Sequence, residues 1–167
     1  MVRLTHVYGP GENRDLFKIM KMMKKGIFPQ VGIYPNLYPA VYLDDAVNGL
    51  ILAMEKGRNM ETYIISDNKS HDLQDIRKLV KKYLGIKNRF YPLVPKYPLL
   101  ILFRILDMIS KFTGIKFPAT YKNISFITAG RQFCIKKAQK ELGYKPCVSL
   151  DQGMKKSIDY YIKEGLL

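Results

Sequence analysis

The sequence lacks several features that would each indicate a particular class of protein. It has no run of about 18 uninterrupted apolar residues, the length needed to cross a bilayer. The first residues, Met1 to His6, contain neither an apolar signal region nor a small-residue cleavage site. From these absences we expect a cytoplasmic protein without a membrane span.

Cysteine and histidine are both scarce. The chain contains only Cys134, Cys147, His6 and His71 among its 167 residues. A disulfide needs an oxidising compartment, and a metal site needs clustered ligands. Because these residues are scattered, we interpret the cysteines as ordinary thiols and predict no metal site.

Acidic residues are half as numerous as basic ones, 14 against 28, which gives a net charge of +14. Such a charge attracts nucleic acid, anionic lipid or anionic metabolites. The lysines at 21, 24 and 25 alternate with methionines at a spacing that predicts a solvated helix face. The sequence has no zinc finger, aromatic RNA-binding motif or long basic arm, so we expect no nucleic-acid partner.

Hydrophobic periodicity and turn residues predict alternating strands and helices. Strands are expected at 2–7, 41–43, 62–66 and 89–93, and helices at 13–25, 44–56, 70–85, 97–112, 118–128, 135–142 and 149–163. Gly26 is expected to end the first helix, Asp44 or Asp45 to cap the second, and Ser149 and Gln152 to form a capping box. This order predicts an α/β fold with a parallel sheet and additional helices to one side.

Three segments occur in an order that is typical of one protein family. They are RLTHVYGPG at 3–11, VYLDDAV at 41–47 and AQKELGYKP at 138–146, followed by a closing helix with Gly153, Tyr160 and Tyr161. They resemble the arginine-led strand and turn, the VDD segment and the LG-[WY]-x-P signature of the extended short-chain dehydrogenases/reductases, the NAD-dependent epimerase/dehydratase family. The resemblance covers nearly the whole chain and points to the C-terminal, substrate-side part of such an enzyme.

The resemblance implies the last strands of a doubly wound, parallel, Rossmann-like sheet and a mostly helical substrate-binding lobe. Residues 1–66 would form the strands and pocket loops, and residues 67–167 the lobe. The N-terminal cofactor half would be absent. The full-length enzyme would use NAD or NADP, and this chain alone would bind neither tightly.

The resemblance also implies roles for individual residues. Leu4 and Thr5 would lie near the nicotinamide. The residues expected to face substrate are His6, Tyr8, Gly9, Pro10, Gly11, Phe28, Gln30 and Tyr38. For His6, an ordinary position inside the strand is an equally good interpretation, and for Asp44 and Asp45 we favour capping and packing over catalysis.

Two motifs of the family are missing. Phosphates are normally held by a glycine-rich turn and a helix N-terminus, and no G-x-x-G-x-x-G occurs here. The only Tyr-x-x-x-Lys match, Tyr83 to Lys87, spans the predicted helix end at Gly85 and follows the wrong strand. We therefore expect no catalytic residue in this chain and no activity in isolation. An unpaired sheet edge predicts association with a second copy or with the missing half.

The substrate class stays open between a nucleotide sugar and an apolar alcohol or ketone. Tyr38 stands where nucleotide-sugar enzymes of the family usually carry a phosphate-binding arginine. The apolar 97–112 segment is similar to a helix of the 3β-hydroxysteroid dehydrogenase and dihydroflavonol reductase branches. It could be a core or dimer helix, a lid over the substrate, or an interfacial anchor on an anionic membrane. A non-catalytic module that pairs with a partner chain or membrane surface is the alternative function.

Overall fold

The computed structural model describes residues 1–26, 30–32, 35–86, 93–115, 117 and 120–167. In the described residues, eight short strands and seven helices follow one another along the chain. They are β1 (Val2–Leu4), β2 (His6–Tyr8), α1 (Asp15–Lys25), β3 (Gln30–Val31), β4 (Leu37–Tyr38), β5 (Ala40–Tyr42), α2 (Leu43–Lys56), β6 (Tyr63–Ile65), β7 (His71–Asp72), α3 (Leu73–Tyr83), β8 (Leu93–Val94), α4 (Lys96–Thr113), α5 (Tyr121–Thr128), α6 (Lys136–Leu142) and α7 (Leu150–Lys163). The predicted α/β class is confirmed.

The strands form four pairs. β1 runs parallel to β6, β2 to β5, and β3 to β8, whereas β4 and β7 are antiparallel. The strand predicted at 2–7 is divided at Thr5, because the Thr5 amide donates to Ile65 O while the His6 amide donates to Pro39 O. β1 lies in the first predicted strand and β6 in the third, so these two predicted strands are paired in parallel. The resemblance requires this pairing.

Two apolar clusters form the core. The larger one joins α1, α3 and α7 around Tyr8 and Tyr161, and the smaller one packs α2 and α6 against β6. Apolar residues at helical spacing face these clusters, so each helix of the larger cluster buries one stripe.

Most predicted helix bounds agree with the structure within a few residues. Gly26 ends α1 in the left-handed conformation with φ of 77°, and Ser149 and Gln152 form the predicted capping box. The capping prediction for Asp44 and Asp45 is wrong, because Tyr42 occupies the N-cap of α2 and the two aspartates lie in the first turn. Of the strand predicted at 89–93, only Leu93 lies within the described residues; it begins β8.

The helix predicted at 97–112 exists as α4, but a core position for it is wrong. No residue of α4, all of which are described, is buried. Among the described residues, no helix has the combined length and apolar character that a membrane crossing requires.

Candidate functional site

The turn that leaves β2 is held in place by the last helix. The Tyr161 hydroxyl of α7 lies 2.9 Å from Gly9 O and 2.5 Å from Glu12 O, so it can donate to either carbonyl. Gly11 has φ of 83°, a conformation that favours glycine. The Glu12 carboxylate accepts the amides of Arg14 and Phe17 at the start of α1. The turn is therefore anchored on both sides.

A cavity of about 330 Å³ lies at the carboxyl end of β1. Its lining consists of Arg3, Leu4, Thr5, His6, Pro39, Ile64 and Phe133. Ligands of doubly wound sheets bind beyond the carboxyl ends of the strands, so this is the expected position for a pocket. The structure thus places Leu4, Thr5 and His6 around one cavity.

Polar and aromatic contacts orient the residues of this cavity. The Thr5 hydroxyl donates to Ser66 Oγ at 3.0 Å, and the His6 ring lies 5.2 Å from the Tyr38 ring at an interplanar angle of 58°. His6 is half-buried and Tyr38 is buried. Tyr38 therefore supports His6 from behind, and its own side chain is covered.

Tyr8 points away from the cavity into the larger core cluster. It is 1% exposed, and burial strongly raises the pKa of its hydroxyl. A Cβ at Gly153 would lie 2.6 Å from the Tyr8 hydroxyl oxygen, so α7 packs closely on this ring. Gly9 is buried as well, and only Pro10 and Gly11 of the turn are accessible from outside.

Two predicted loop residues lie wholly or partly outside the described structure. Phe28 lies outside the described residues, and of Gln30 only the backbone is described, where β3 pairs with Leu93. Their substrate contacts stay predictions, as do the roles of the other predicted site residues.

Sequence reasoning missed the role of Asp45. This buried carboxylate accepts the amides of Cys147 at 2.9 Å and Val148 at 3.0 Å, directly before the capping box of α7. Beside it, the Tyr144 hydroxyl donates to Ser66 O at 3.2 Å. The VDD-like segment is thus hydrogen-bonded to the two residues that directly follow the LGY-like segment. The only available signal was that the two segments both belong to the resemblance.

A second, larger depression of about 820 Å³ was also not predicted. It follows the carboxyl end of β6 and contains His71, whose Nε2 lies 2.6 Å from Asp67 Oδ2. Both side chains are more than nine-tenths buried. The polar run 67–71 carries no motif that would have separated this pair from an ordinary loop.

No model of a known protein family matches the chain. It is 30% identical over 161 residues to short-chain dehydrogenase/reductase family 42E member 1 of Bos taurus, which covers 86% of this chain and 39% of that protein. It is 23% identical to a decarboxylating sterol-4-alpha-carboxylate 3-dehydrogenase of Schizosaccharomyces pombe, over 94% of this chain and 48% of the relative.

The chain also shares its fold with solved structures, among them an epimerase with bound NAD. The UDP-glucuronic acid 4-epimerase of Bacillus cereus, in complex with UDP-glucuronic acid and NAD, superposes with a TM-score of 0.66 at 21% identity. The match covers 98% of this chain and 45% of the epimerase. The chain thus spans about half the length of the proteins that it matches.

Proposed function

Because this chain belongs to the extended short-chain dehydrogenase/reductase family, we propose that it is the substrate-binding part of an NAD(P)-dependent oxidoreductase or epimerase/dehydratase. The remaining part would supply the glycine-rich turn and the Tyr-x-x-x-Lys pair that the sequence lacks. In the complete enzyme, the nicotinamide ring supplies hydride transfer. Leu4 and Thr5 would contact that ring, and the turn after β2 would contact substrate.

The observation that carries this proposal is the open side of the β1 ladder. β1 pairs with β6 along one edge, and its other edge faces no strand of the described residues. The cavity with Leu4, Thr5 and His6 lies at the end of this same strand. An added parallel strand beside β1 would satisfy the free backbone groups and close the pocket from that side.

A second support comes from α2, which carries apolar residues on two faces. One face packs Ala46 and Gly49 against the strands. The other exposes an apolar stripe with helical spacing: Leu43, Val47, Leu50, Ile51 and Met54. A helix that is apolar all round is normally covered on both sides, so this stripe fits a helix of the missing part.

The cavity lining favours an apolar alcohol or ketone as substrate. Leu4, Pro39, Ile64 and Phe133 give it mostly apolar walls, with Arg3, Thr5 and His6 as polar groups. Such a lining suits a bulky apolar ligand whose reacting hydroxyl or carbonyl meets a polar side chain. A nucleotide sugar is the second candidate, supported by the fold shared with the UDP-glucuronic acid 4-epimerase.

The first test is to read the coding DNA upstream of Met1. A neighbouring frame that encodes a glycine-rich turn and Tyr-x-x-x-Lys would identify the missing part, which can then be produced with this chain. We expect the two products to co-purify and to bind NAD(H) together, while this chain alone does not bind it. Ordinary NAD(H) affinity of the isolated chain would contradict the proposal.

The contact surface is tested by substitution. Leu50→Lys with Ile51→Lys should abolish co-purification, because it places two charges on the α2 stripe. Ile162→Lys changes an exposed apolar residue on α7 and is the matched control. If both variants pair equally well with the partner product, α2 is not the contact.

A further inference from the structure

α4 is rich in apolar residues and yet has none buried. Its exposed large apolar side chains follow one another at helical spacing and form the α4 stripe: Tyr97, Ile101, Leu102, Ile105, Met108, Ile109 and Phe112. Leu93 before the helix and Ile115 after it are exposed as well. Aromatic rings mark both ends, and Phe112 is 86% exposed. Contiguous exposed apolar surface of this kind marks an interaction site.

The opposite face of α4 is attached to the rest of the lobe. α4 packs against α5, and Asp107 Oδ2 accepts the Tyr121 amide at 3.0 Å. At the start of the helix, Lys96 Nζ donates to Thr128 O at 2.7 Å. These contacts fix the orientation of the helix, so the α4 stripe faces outward as a result of packing.

The charges on α4 restrict what can cover the stripe. Asp107 is the single acid of the helix, and it is directed to α5. Arg104 and Lys111 are exposed and lie seven residues apart, so both border the same side of the stripe. The stripe is therefore accompanied by positive charge only, in a chain whose net charge is +14.

A second copy of this chain fits such a surface poorly. In an antiparallel, symmetric contact of two α4 stripes, Arg104 and Lys111 of both copies would meet along one border. Like charges there repel, and no exposed acid of α4 neutralises them. The α2 stripe differs in this respect, since the acids Asp44 and Glu55 accompany it.

We propose that α4 is an interfacial helix that inserts its apolar stripe into the surface of an anionic lipid bilayer. The stripe would enter the boundary between headgroups and acyl chains, while Arg104 and Lys111 contact anionic headgroups. The helix lies in the plane of the membrane and does not cross it. The helical lobe that contains α4 would then lie against a lipid phase.

Vesicle co-sedimentation of the purified 167-residue chain tests this proposal. The chain is mixed with vesicles of phosphatidylcholine alone or of phosphatidylcholine with phosphatidylserine. We expect binding that is at least tenfold stronger with phosphatidylserine and that decreases with added salt, because exposed charges are screened. Absence of binding to the phosphatidylserine vesicles would overturn the proposal.

Substitutions then locate the contact. Ile101→Ser with Ile105→Ser should reduce binding at least tenfold, whereas Leu50→Ser with Ile51→Ser, on the α2 stripe, should leave it unchanged. Arg104→Glu with Lys111→Glu should remove the phosphatidylserine dependence. Lys18→Glu with Lys145→Glu changes the net charge equally at exposed positions on other segments and should reduce binding much less. Equal losses in each matched pair would mean that α4 is not the contact.

A tryptophan probe gives a readout that is independent of affinity, because the sequence contains no tryptophan. The emission of Tyr97→Trp should shift to the blue and be quenched by brominated lipid, and that of Met54→Trp on α2 should not. Light scattering without lipid measures the molar mass of the chain and so tests whether a second copy binds the α4 stripe. If the α4 serine variant converts a dimer to a monomer, a second copy covers the stripe and the proposal fails.

Discussion

At the residue scale, Tyr161 has a specific role in the turn after β2. Its hydroxyl reaches two carbonyls of the turn, from Gly9 and Glu12, across about 150 residues of sequence. Burial of the ring raises the pKa of this hydroxyl to about 12, so it stays protonated as a donor at neutral pH. The pocket loop is thus supported by the end of the chain.

Replacement of this hydroxyl should weaken the fold. Tyr161→Phe removes the hydroxyl that donates to the carbonyls of Gly9 and Glu12, and Gly9 O keeps only the longer bond from the Glu12 amide. We expect the free energy of unfolding to fall by about 1–3 kcal/mol. Urea denaturation followed by circular dichroism measures it. Tyr160→Phe is the matched control, since its ring contacts Tyr161 edge-on but has more solvent around it. An equal loss in both variants would show that the ring and not the hydroxyl bonds matters.

Substitution of Asp45 can be compared with the same substitution of its neighbour Asp44. Asp45→Asn removes the charge that accepts the amides of Cys147 and Val148, and hydrogen bonds to a charged group contribute about 1.5–3 kcal/mol each. We expect a loss of stability near 2 kcal/mol by the same reasoning. Asp44→Asn, at an exposed position, should change it by less than about 0.5 kcal/mol. A comparable loss at Asp44 would indicate that helix capping is the real role of the pair.

The residues of the site could be predicted in part. That Leu4, Thr5 and His6 lie around one cavity agrees with the resemblance and with their place at a strand end, and their cofactor and substrate contacts stay predictions. The burial of Tyr8 could not be predicted, because the strand break at Thr5 changes which side chains face the core. The contacts of Asp45 lie with residues 102 and 103 positions away, which no local pattern reports.

At the scale of elements, close packing between α2 and β6 depends on Gly49. A Cβ at this position would lie 2.6 Å from Ile65 Cγ2, and Ile65 is fully buried on β6. β-branched side chains have little freedom to move, so the clash cannot be relieved locally. The glycine therefore sets the distance between the helix and the ladder that carries the cavity.

Gly49→Ala tests this packing. Helix propensity alone favours alanine by about 1 kcal/mol, whereas overpacking costs about 1–3 kcal/mol, so we expect a net loss of stability. Asn48→Ala on the exposed face should be neutral or stabilising. In a double-mutant cycle, Ile65→Ala should cost less in the Gly49→Ala background than alone. Additive losses would contradict the proposed contact.

The helices were predictable because their apolar residues recur at helical spacing and their ends carry local signals. Gly26 and the Ser149 and Gln152 box depend on bonds within a few residues. The division of the first strand was not predictable, since residues 2–8 show no Gly or Pro before the turn. It depends on the two acceptors, Ile65 O and Pro39 O, which distant segments bring to neighbouring amides.

At the scale of the whole molecule, buried tyrosines predict sensitivity to alkaline pH. Burial raises the pKa of Tyr8, Tyr144 and Tyr161. Tyr8 and Tyr161 belong to the larger core cluster and Tyr144 to the smaller one. In the unfolded chain tyrosine ionises near pH 10. Above that pH the unfolded state loses protons that the native state keeps, so stability is complete below about pH 10 and falls as pH rises further.

Urea denaturation between pH 8 and pH 11 measures this decline, and absorbance at 295 nm follows the tyrosines in the same samples. These conditions bracket the pKa of an unfolded tyrosine, about 10. We expect these three tyrosines to ionise only with unfolding, and the decline to be smaller in Tyr161→Phe. Ionisation of all tyrosines near pH 10 while the native circular dichroism spectrum persists would contradict the prediction.

The sequence by itself determined the helices, the end of α1 at Gly26, the capping box of α7, the α/β class and the resemblance to the family. Periodicity, local hydrogen bonds and motif order are properties of the sequence alone. Only the tertiary structure decided that the α4 stripe faces outward, that Tyr8 faces the core and that Asp45 supports the start of α7. These outcomes depend on which distant segments meet. An apolar helix or an aspartate pair has the same local pattern whether its neighbour is core, solvent or another molecule.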